Sequence, residues 1–310
     1  MEKYMELSSL CKELGYSAKN LYSISNEIEK HYIKVQIPKK SGGYRELRVP
    51  DKRLKSIQNR INRRLLCLEP VSQYATAYVK GRGISKNAEP HVGQAKILKL
   101  DVKGFFDSVI FSQVKSKAFP EGKYTDTVRI LLTILCTYDQ HLPQGAPTSP
   151  AISNIIMNDF DERIGSWCEK KGIKYTRYCD DMTFSGNFDE KEIINFVREQ
   201  LRREGFFINK KKTICIRNNQ RQSVTGIIVN EILNVESEYK KRIRQEMYYI
   251  NKYGIEEHIS RVHKDEVQEQ VLHRLLGQVN YVLSICESDE FCGYHQQLQA
   301  LLKGDIRINE

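Results

Sequence analysis

The sequence predicts an α+β protein in which short strands and helices mix irregularly instead of alternating as βαβ units. Three observations predict it. AKILKLDVKGFFDSV (95–109) opens as a strand, with Ile97, Leu98, Leu100 and Val102 apolar, and breaks at Gly104. TRYCDDMTFSG (176–186) reads as strand, turn and strand. Apolar residues at helical spacing fill the long segments before, between and after these two.

The elements follow in order. Leu54, Ile57, Ile61 and Leu65 mark a helix, with Lys55, Arg60, Arg63 and Arg64 interleaved. A second helix covers 125–136, with Val128, Leu131, Leu132 and Leu135 inward. In LPQGAPTSPAISN (142–154), Pro143, Gly145 and Pro147 enforce a rigid non-helical run. Ser149 is then the expected N-cap, with Pro150 in the first turn. Ile152, Ile155, Ile156, Phe160, Ile164 and Trp167 continue that helix to Gly172. Ile193, Ile194, Val197 and Leu201 predict a helix over about 190–204, stopped by Gly205. Short strands are expected at 206–208, 214–216 and 223–229. From 237 the pattern is helical to the end: one helix shows Ile243, Met247 and Ile250, another Val267, Val271, Leu275, Val279 and Val282.

Composition narrows the function classes. The 310 residues are 40% hydrophobic and 28% charged, ordinary values for a globular protein. The longest aliphatic stretch, ILLTIL at 130–135, is too short to cross a bilayer. The first residues lack an apolar signal core, so a cytoplasmic protein without a membrane partner is expected. Eight scattered cysteines with no CxxC pair read as reduced thiols, and no His/Cys spacing suits zinc. Net charge is +10, and residues 31–64 hold eleven Lys or Arg against two acids. That concentration suggests a polyanionic partner such as nucleic acid, or else a solvated basic face.

Asp180 and Asp181 are adjacent inside the apolar hairpin, and each opposes the other's ionisation. A turn tolerates aspartates, so the pair alone does not separate a turn from a site. Asp101, at the end of the earlier strand, adds a third carboxylate. If that strand pairs beside the hairpin, the three meet at one end of a sheet. Magnesium relieves the repulsion, because hard cations take carboxylate oxygens. Two Mg²⁺ ions about 3.5–4 Å apart can serve an in-line phosphoryl transfer.

The order LKLDVKGFFDSV, LPQGAPTSPAISN, YTRYCDD, Gly with INKKKT, then SVTGI resembles a reverse transcriptase over residues 40 to 230. The resemblance implies a right-hand polymerase with an antiparallel palm sheet, mixed fingers and a helical thumb. N-terminal helices and fingers would span 1–98, and the palm with the first catalytic Asp 99–118. A fingers/palm helical segment would span 119–141, the palm with the YCDD hairpin and VTG element 142–232, and an RNA-binding thumb 233–310. It implies Asp101, Asp180 and Asp181 as catalytic metal ligands, with the Val102 carbonyl, and dNTP substrates. Phe106 resembles the aromatic floor that selects deoxynucleotides, while Phe105 reads as core. Gln144, Arg45 and Lys39 or Lys40 match nucleotide-binding positions, where Arg suits bidentate phosphate pairing. Lys212 stands where the family has a lysine able to protonate pyrophosphate, although a lysine run also reads as surface. Cys179 fills a variable slot and is expected to pack.

ISKNAEPHVG (84–93) resembles the NAxxH element of bacterial retron reverse transcriptases through Asn87, Ala88 and His91. Val224, Thr225 and Gly226 match their VTG element. Both imply RNA contact, as do Lys240, Lys241 and Arg244 beside Tyr248 and Tyr249. HRLLGQVNYVLSI (273–285) resembles the retron thumb, and its Gly277 also suits a close helix contact. The resemblance implies a cognate structured noncoding RNA as template and primer, and synthesis from an internal guanosine 2′-hydroxyl. The product that the resemblance implies is a branched RNA-linked single-stranded DNA (msDNA). It also implies a separate effector protein in phage defence, and a host ribonuclease H, since no second acidic constellation is present. The alternatives are a group II intron-like enzyme using a 3′-OH primer and a catalytically idle RNA-binding scaffold.

Overall fold

The computed structural model describes residues 5–39, 42–262 and 267–303. The chain opens with α1 (Leu7–Leu14) and α2 (Ala18–Ser25), the latter capped by Ser17, whose side chain accepts the Asn20 N–H. β1 (Tyr32–Pro38) and β2 (Tyr44–Pro50) form an antiparallel ribbon in register from Tyr32↔Pro50 to Pro38↔Tyr44. In α3 (Lys52–Arg64) the Asp51 side chain caps the first turn and Leu54, Ile57 and Ile61 are buried. Then come α4 (Ile84–Ala88), β3 (Lys96–Asp101), the short α5 (Phe105–Ser108) and α6 (Phe111–Gln113), and α7 (Asp126–Cys136). The 22-residue α8 (Ser149–Lys170) leads into the hairpin β4 (Lys174–Tyr178) and β5 (Asp181–Ser185), followed by α9 (Glu190–Arg203) and β6 (Ile214–Arg217). The remainder is β7 (Ser223–Val224), β8 (Ile227–Ile228), α10 (Ser237–Tyr253), α11 (Ile255–Val262), α12 (Gln268–Leu283) and α13 (Asp289–Lys303).

The chain divides into two compact units, Met1–Gly83 with Leu98–Cys215, and Ile84–Ile97 with Ile216–Glu310. The first is built around a four-stranded sheet of order β4-β5-β3-β6. β4 and β5 pair antiparallel, as the hairpin pattern predicts. Leu98, Leu100 and Val102 share one apolar core with Ile152, Ile156, Phe160 and Ile164 of α8. Gly165 lets α8 come close: a Cβ there would meet the Tyr74 ring at 2.0 Å. In the second unit Ile243, Met247 and Ile250 share a core with Val271, Leu275, Val279, Val282, Phe291 and Leu298.

The structure corrects several local readings. Ser149 is the first helical residue and Thr148 precedes it as N-cap, because the Ser149 hydroxyl donates to the Pro143 carbonyl at 2.7 Å. Residues 206–208 form no strand; they make a single bridge, Val102↔Ile208. Residues 223–229 are a tight hairpin instead of one strand, since Thr225 and Gly226 both take positive φ, the pattern of a two-residue primed turn. Gly277 is no close-packing point, because a Cβ there would meet open space.

Candidate active site

The β4/β5 register pairs Tyr178 with Asp181, which leaves Cys179 and Asp180 as the two turn residues. Cys179 takes φ 60°, a left-handed conformation that favours glycine. The turn lifts Asp180 out of the pleat, so consecutive aspartates no longer point to opposite faces. Asp101 ends the neighbouring strand β3. The Val102 N–H donates to the Asp180 carbonyl at 3.0 Å, and the Asn209 N–H donates to the Asp101 carbonyl at 2.7 Å. Three segments far apart in the chain are thereby tied at one end of the sheet.

The Asp101 side chain is almost fully buried and well partnered. Asn209 Nδ2 donates to its Oδ1 at 2.9 Å, and Lys212 Nζ to its Oδ2 at 2.6 Å. Lys212 belongs to the single turn Lys210–Lys212, which the Asn209 side chain caps by accepting the Lys211 N–H. The bond to Asp101 raises the Lys212 pKa above the ordinary lysine value. Asp181 keeps an exposed side chain, yet the surrounding chain desolvates its carboxyl. That desolvation, then Asp180, then Asp101, push it up to about 6, and its carboxyl lies within hydrogen-bonding reach of Asp101.

Among the described residues, no group of three His, Cys, Asp or Glu side chains is arranged to hold a metal ion as it stands. The donor chemistry nevertheless fits a hard divalent cation. Three carboxylates lie close together, and desolvation, with the charges of Asp180 and Asp101, holds Asp181 toward its protonated form against the opposing pull of Lys212. On Asp101, the Lys212 ammonium supplies a compensating charge in this structure.

A cleft of about 520 Å³ lies beside the aspartates. Arg45, Phe106, Gln144, Tyr78, Asp180 and Asp181 are among the residues lining it. Phe105 is buried in the core while Phe106, next to it, reaches the cleft. Gly145 explains how Gln144 and the β2 ribbon meet. At φ 118° its Cα packs against β2, where a Cβ would lie 3.0 Å from the Arg48 carbonyl oxygen, and the Arg48 N–H donates to the Gln144 carbonyl at 2.8 Å. Lys39 is exposed in the loop between β1 and β2; Lys40 lies outside the described residues. Cys179 is buried and its thiol is pushed up to about 12 by burial, so it stays protonated and packs.

The second unit places the remaining residues differently from a simple surface patch. Asn87, His91 and Val224 are buried, and Asn87 Nδ2 lies 3.4 Å from Thr225 Oγ1, so these side chains join α4 to the β7/β8 turn. Thr225 is half-buried and Gly226 exposed at that turn. Lys240 donates to Asn234 Oδ1 at 2.6 Å, and Arg244 makes a bidentate pair with Glu290. Lys241 is exposed.

Sequence reasoning missed three groups. Asn209 was hidden beside the lysine run it organises. Tyr78 takes φ 61° and reaches Cys179 Sγ at 3.6 Å, which no local pattern signals. Arg177 and Asp161 form a fully buried ion pair; the only sign was a charged residue at a strand position between the strand formers Thr176 and Tyr178.

Comparison with known proteins adds to this geometry. The family model described as reverse transcriptase (RNA-dependent DNA polymerase) matches residues 37–229. The chain is 38% identical over 247 residues to the retron Mx65 reverse transcriptase of Myxococcus xanthus, covering 72% of this chain and 57% of the relative. It is 33% identical to the retron Ec86 reverse transcriptase of Escherichia coli, covering 65% and 63%, and 34% identical to the retron Ec83 reverse transcriptase of the same organism, covering 69% and 73%. The chain thus spans little more than half the length of its Myxococcus relative. Among solved structures, apo telomerase from Candida tropicalis aligns with a TM-score of 0.46 at 14% identity, over 69% of this chain and 59% of that one.

Proposed function

This chain belongs to the reverse transcriptase family, among the retron enzymes, and on that premise we propose that it is an RNA-directed DNA polymerase that copies a structured noncoding RNA. The observation that carries this reading is the convergence of Asp101 with the Asp180–Asp181 turn beside a cleft lined by Arg45, Phe106 and Gln144.

Asp101, Asp180 and Asp181, with the Val102 carbonyl, would hold magnesium. When bound, two such ions lower the barrier for the primer hydroxyl to displace pyrophosphate. The chain's own groups do the rest. Arg45, with Lys39 nearby in the loop, pairs with triphosphate oxygens. Phe106 presents a ring edge or face where a 2′-hydroxyl would clash. Gln144 orients the nucleotide through its amide. Lys212, kept protonated by its carboxylate partner, donates a proton to the departing pyrophosphate.

Residues 99–118 and 142–232 serve as the palm in this reading, 1–98 and 119–141 contribute the fingers, and 233–310 form the thumb. Priming from an internal guanosine 2′-hydroxyl, msDNA as product, removal of template by a host ribonuclease H, and anti-phage action with a separate effector belong to the same proposal. So does a cytoplasmic location; no helix among the described residues is long and apolar enough to cross a membrane.

The test is incorporation of dNTPs on primed RNA with Mg²⁺. The wild-type chain should extend the primer, and Asp180→Asn and Asp181→Asn should abolish extension while circular dichroism stays unchanged. Extension retained by either variant, or none by the wild type, overturns the reading. With the cognate RNA, a debranching-sensitive 2′–5′ linkage is expected. Linear cDNA alone would assign the chain to 3′-OH priming instead.

A further inference from the structure

Arg177 lies two residues before the Cys179–Asp180 turn, on β4, and both it and Asp161 of α8 are completely buried. Its guanidinium nitrogens are all engaged. Nε donates to Asp161 Oδ1 at 2.8 Å and Oδ2 at 3.0 Å, and Nη2 to Asp161 Oδ2 at 2.6 Å and Asn154 Oδ1 at 3.2 Å. Nη1 donates to the Cys179 carbonyl at 2.9 Å. The partners are themselves anchored: Tyr175 Oη donates to Asp161 Oδ1 at 2.8 Å, and Asn154 Nδ2 to the Ala77 carbonyl at 2.9 Å. The Arg177 backbone is held too, donating to the Tyr74 carbonyl and accepting from the Thr76 N–H.

Stability alone is a weak reason for such a pair, because well-packed apolar residues commonly serve as well. The bond to Cys179 supplies another reason. Cys179 sits in a conformation that favours glycine, so its turn does not hold its shape by local preference. The Cys179 carbonyl belongs to the peptide that leads into Asp180. The peptide leaving Asp180 is fixed by the Val102 N–H. Asp180 is therefore clamped on both sides, by β3 and by the Arg177 guanidinium.

We propose that Arg177 is a positioning residue for the metal-binding turn: through the Cys179 carbonyl it sets the direction of the Asp180 carboxylate, with Asp161 and Asn154 of α8 fixing the guanidinium. The inference rests on Asp180 acting as a metal ligand, as proposed above. Arginine is required because one planar fork reaches a carboxylate, an amide and a backbone carbonyl at once. A lysine would keep the charge opposite Asp161 but could not span all three.

Arg177→Lys separates these roles. The variant should fold, and its Mn²⁺ affinity without substrate, followed by electron paramagnetic resonance, should fall by about tenfold or more. Amide hydrogen exchange over residues 178–182 should speed up. Turnover at saturating dNTP should fall by a similar factor while KM for dNTP stays close to wild type. If Arg177→Lys does not fold, the pair replacement Asp161→Leu with Arg177→Met removes both buried charges, and the same losses are expected in it. A folded variant with wild-type Mn²⁺ affinity, exchange and turnover overturns the inference. The parallel wild-type and Asp180→Asn reactions tell the two failures apart. If only the Arg177 variants match wild type, this inference alone fails. If Asp180→Asn is also active, the reading of the site fails with it.

Discussion

Lys212 and Asp101, 111 residues apart in the chain, meet at 2.6 Å between Nζ and Oδ2. The ammonium supplies positive charge to a carboxylate buried at the end of β3, and the carboxylate keeps the lysine protonated. The pair therefore joins a proposed metal ligand to the proposed proton donor.

Lys212→Met should lower the single-turnover rate at saturating dNTP by about 10²-fold, the usual scale for losing a general acid. KM for dNTP should change little. A rapid-quench time course checks this, and a raised KM with unchanged rate would assign Lys212 to ground-state binding instead.

Asp181 makes metal-free stability depend on pH. Its carboxyl holds a proton more tightly in the folded chain, at about 6, than at its ordinary value of 3.8. The folded state binds more protons between those values, so this group's contribution to stability falls as pH rises from about 4 to about 6. Asp181→Asn removes the effect. Without metal, the melting temperature of the variant minus that of wild type should increase across that window and level off above it. Calorimetry at a series of pH values reads it, and a difference that shrinks toward pH 6 contradicts the placement of Asp181.

Phe106 faces the cleft while Phe105 fills the core, so the two should behave oppositely on truncation. Phe106→Ala should leave the melting temperature near wild type and reduce the preference for dNTP over rNTP by about 10²-fold, the scale on which an apolar wall rejects an added hydroxyl. Phe105→Ala should cost about 3–5 kcal/mol of stability. Competition assays for kcat/KM and urea unfolding separate them.

Gly145 combines positive φ with a backbone neighbour that cannot move aside cheaply. Gly145→Ala should destabilise by roughly 1–3 kcal/mol and shift Gln144 away from the cleft. KM for dNTP should then rise more than kcat falls. Unchanged nucleotide affinity would show that Gln144 does not depend on this close approach.

Lys241 is exposed whereas Arg244 is already paired with Glu290. Lys241→Glu should weaken binding of structured RNA and reduce the magnitude of its salt dependence by about one unit of log–log slope. Arg244→Gln should have a smaller effect. Filter binding across a salt series distinguishes them, and equal effects would mean that the Glu290 pair opens on RNA.

The sequence by itself marked most of the helices, β3 and the central hairpin, and it put forward three aspartates as candidate metal ligands. Helical spacing marked α3, α7, α8, α9, α10 and α12, alternation and turn residues marked β3 and the β4/β5 hairpin, and both signals are encoded by neighbours in the chain. The pattern around LKLDV and YCDD likewise named Asp101, Asp180 and Asp181. Only the tertiary structure decided what holds them. The Asp101–Lys212 contact, the Gly145 approach to β2 and the burial of Arg177 against Asp161 each join residues distant in sequence, and no local periodicity encodes such a partner. The same reason explains why the sequence, which offers Asn87 and His91 as RNA-contact candidates, does not reveal that both side chains are buried. Whether a polar side chain meets solvent or another segment depends on what packs over it, and that is set by the fold as a whole.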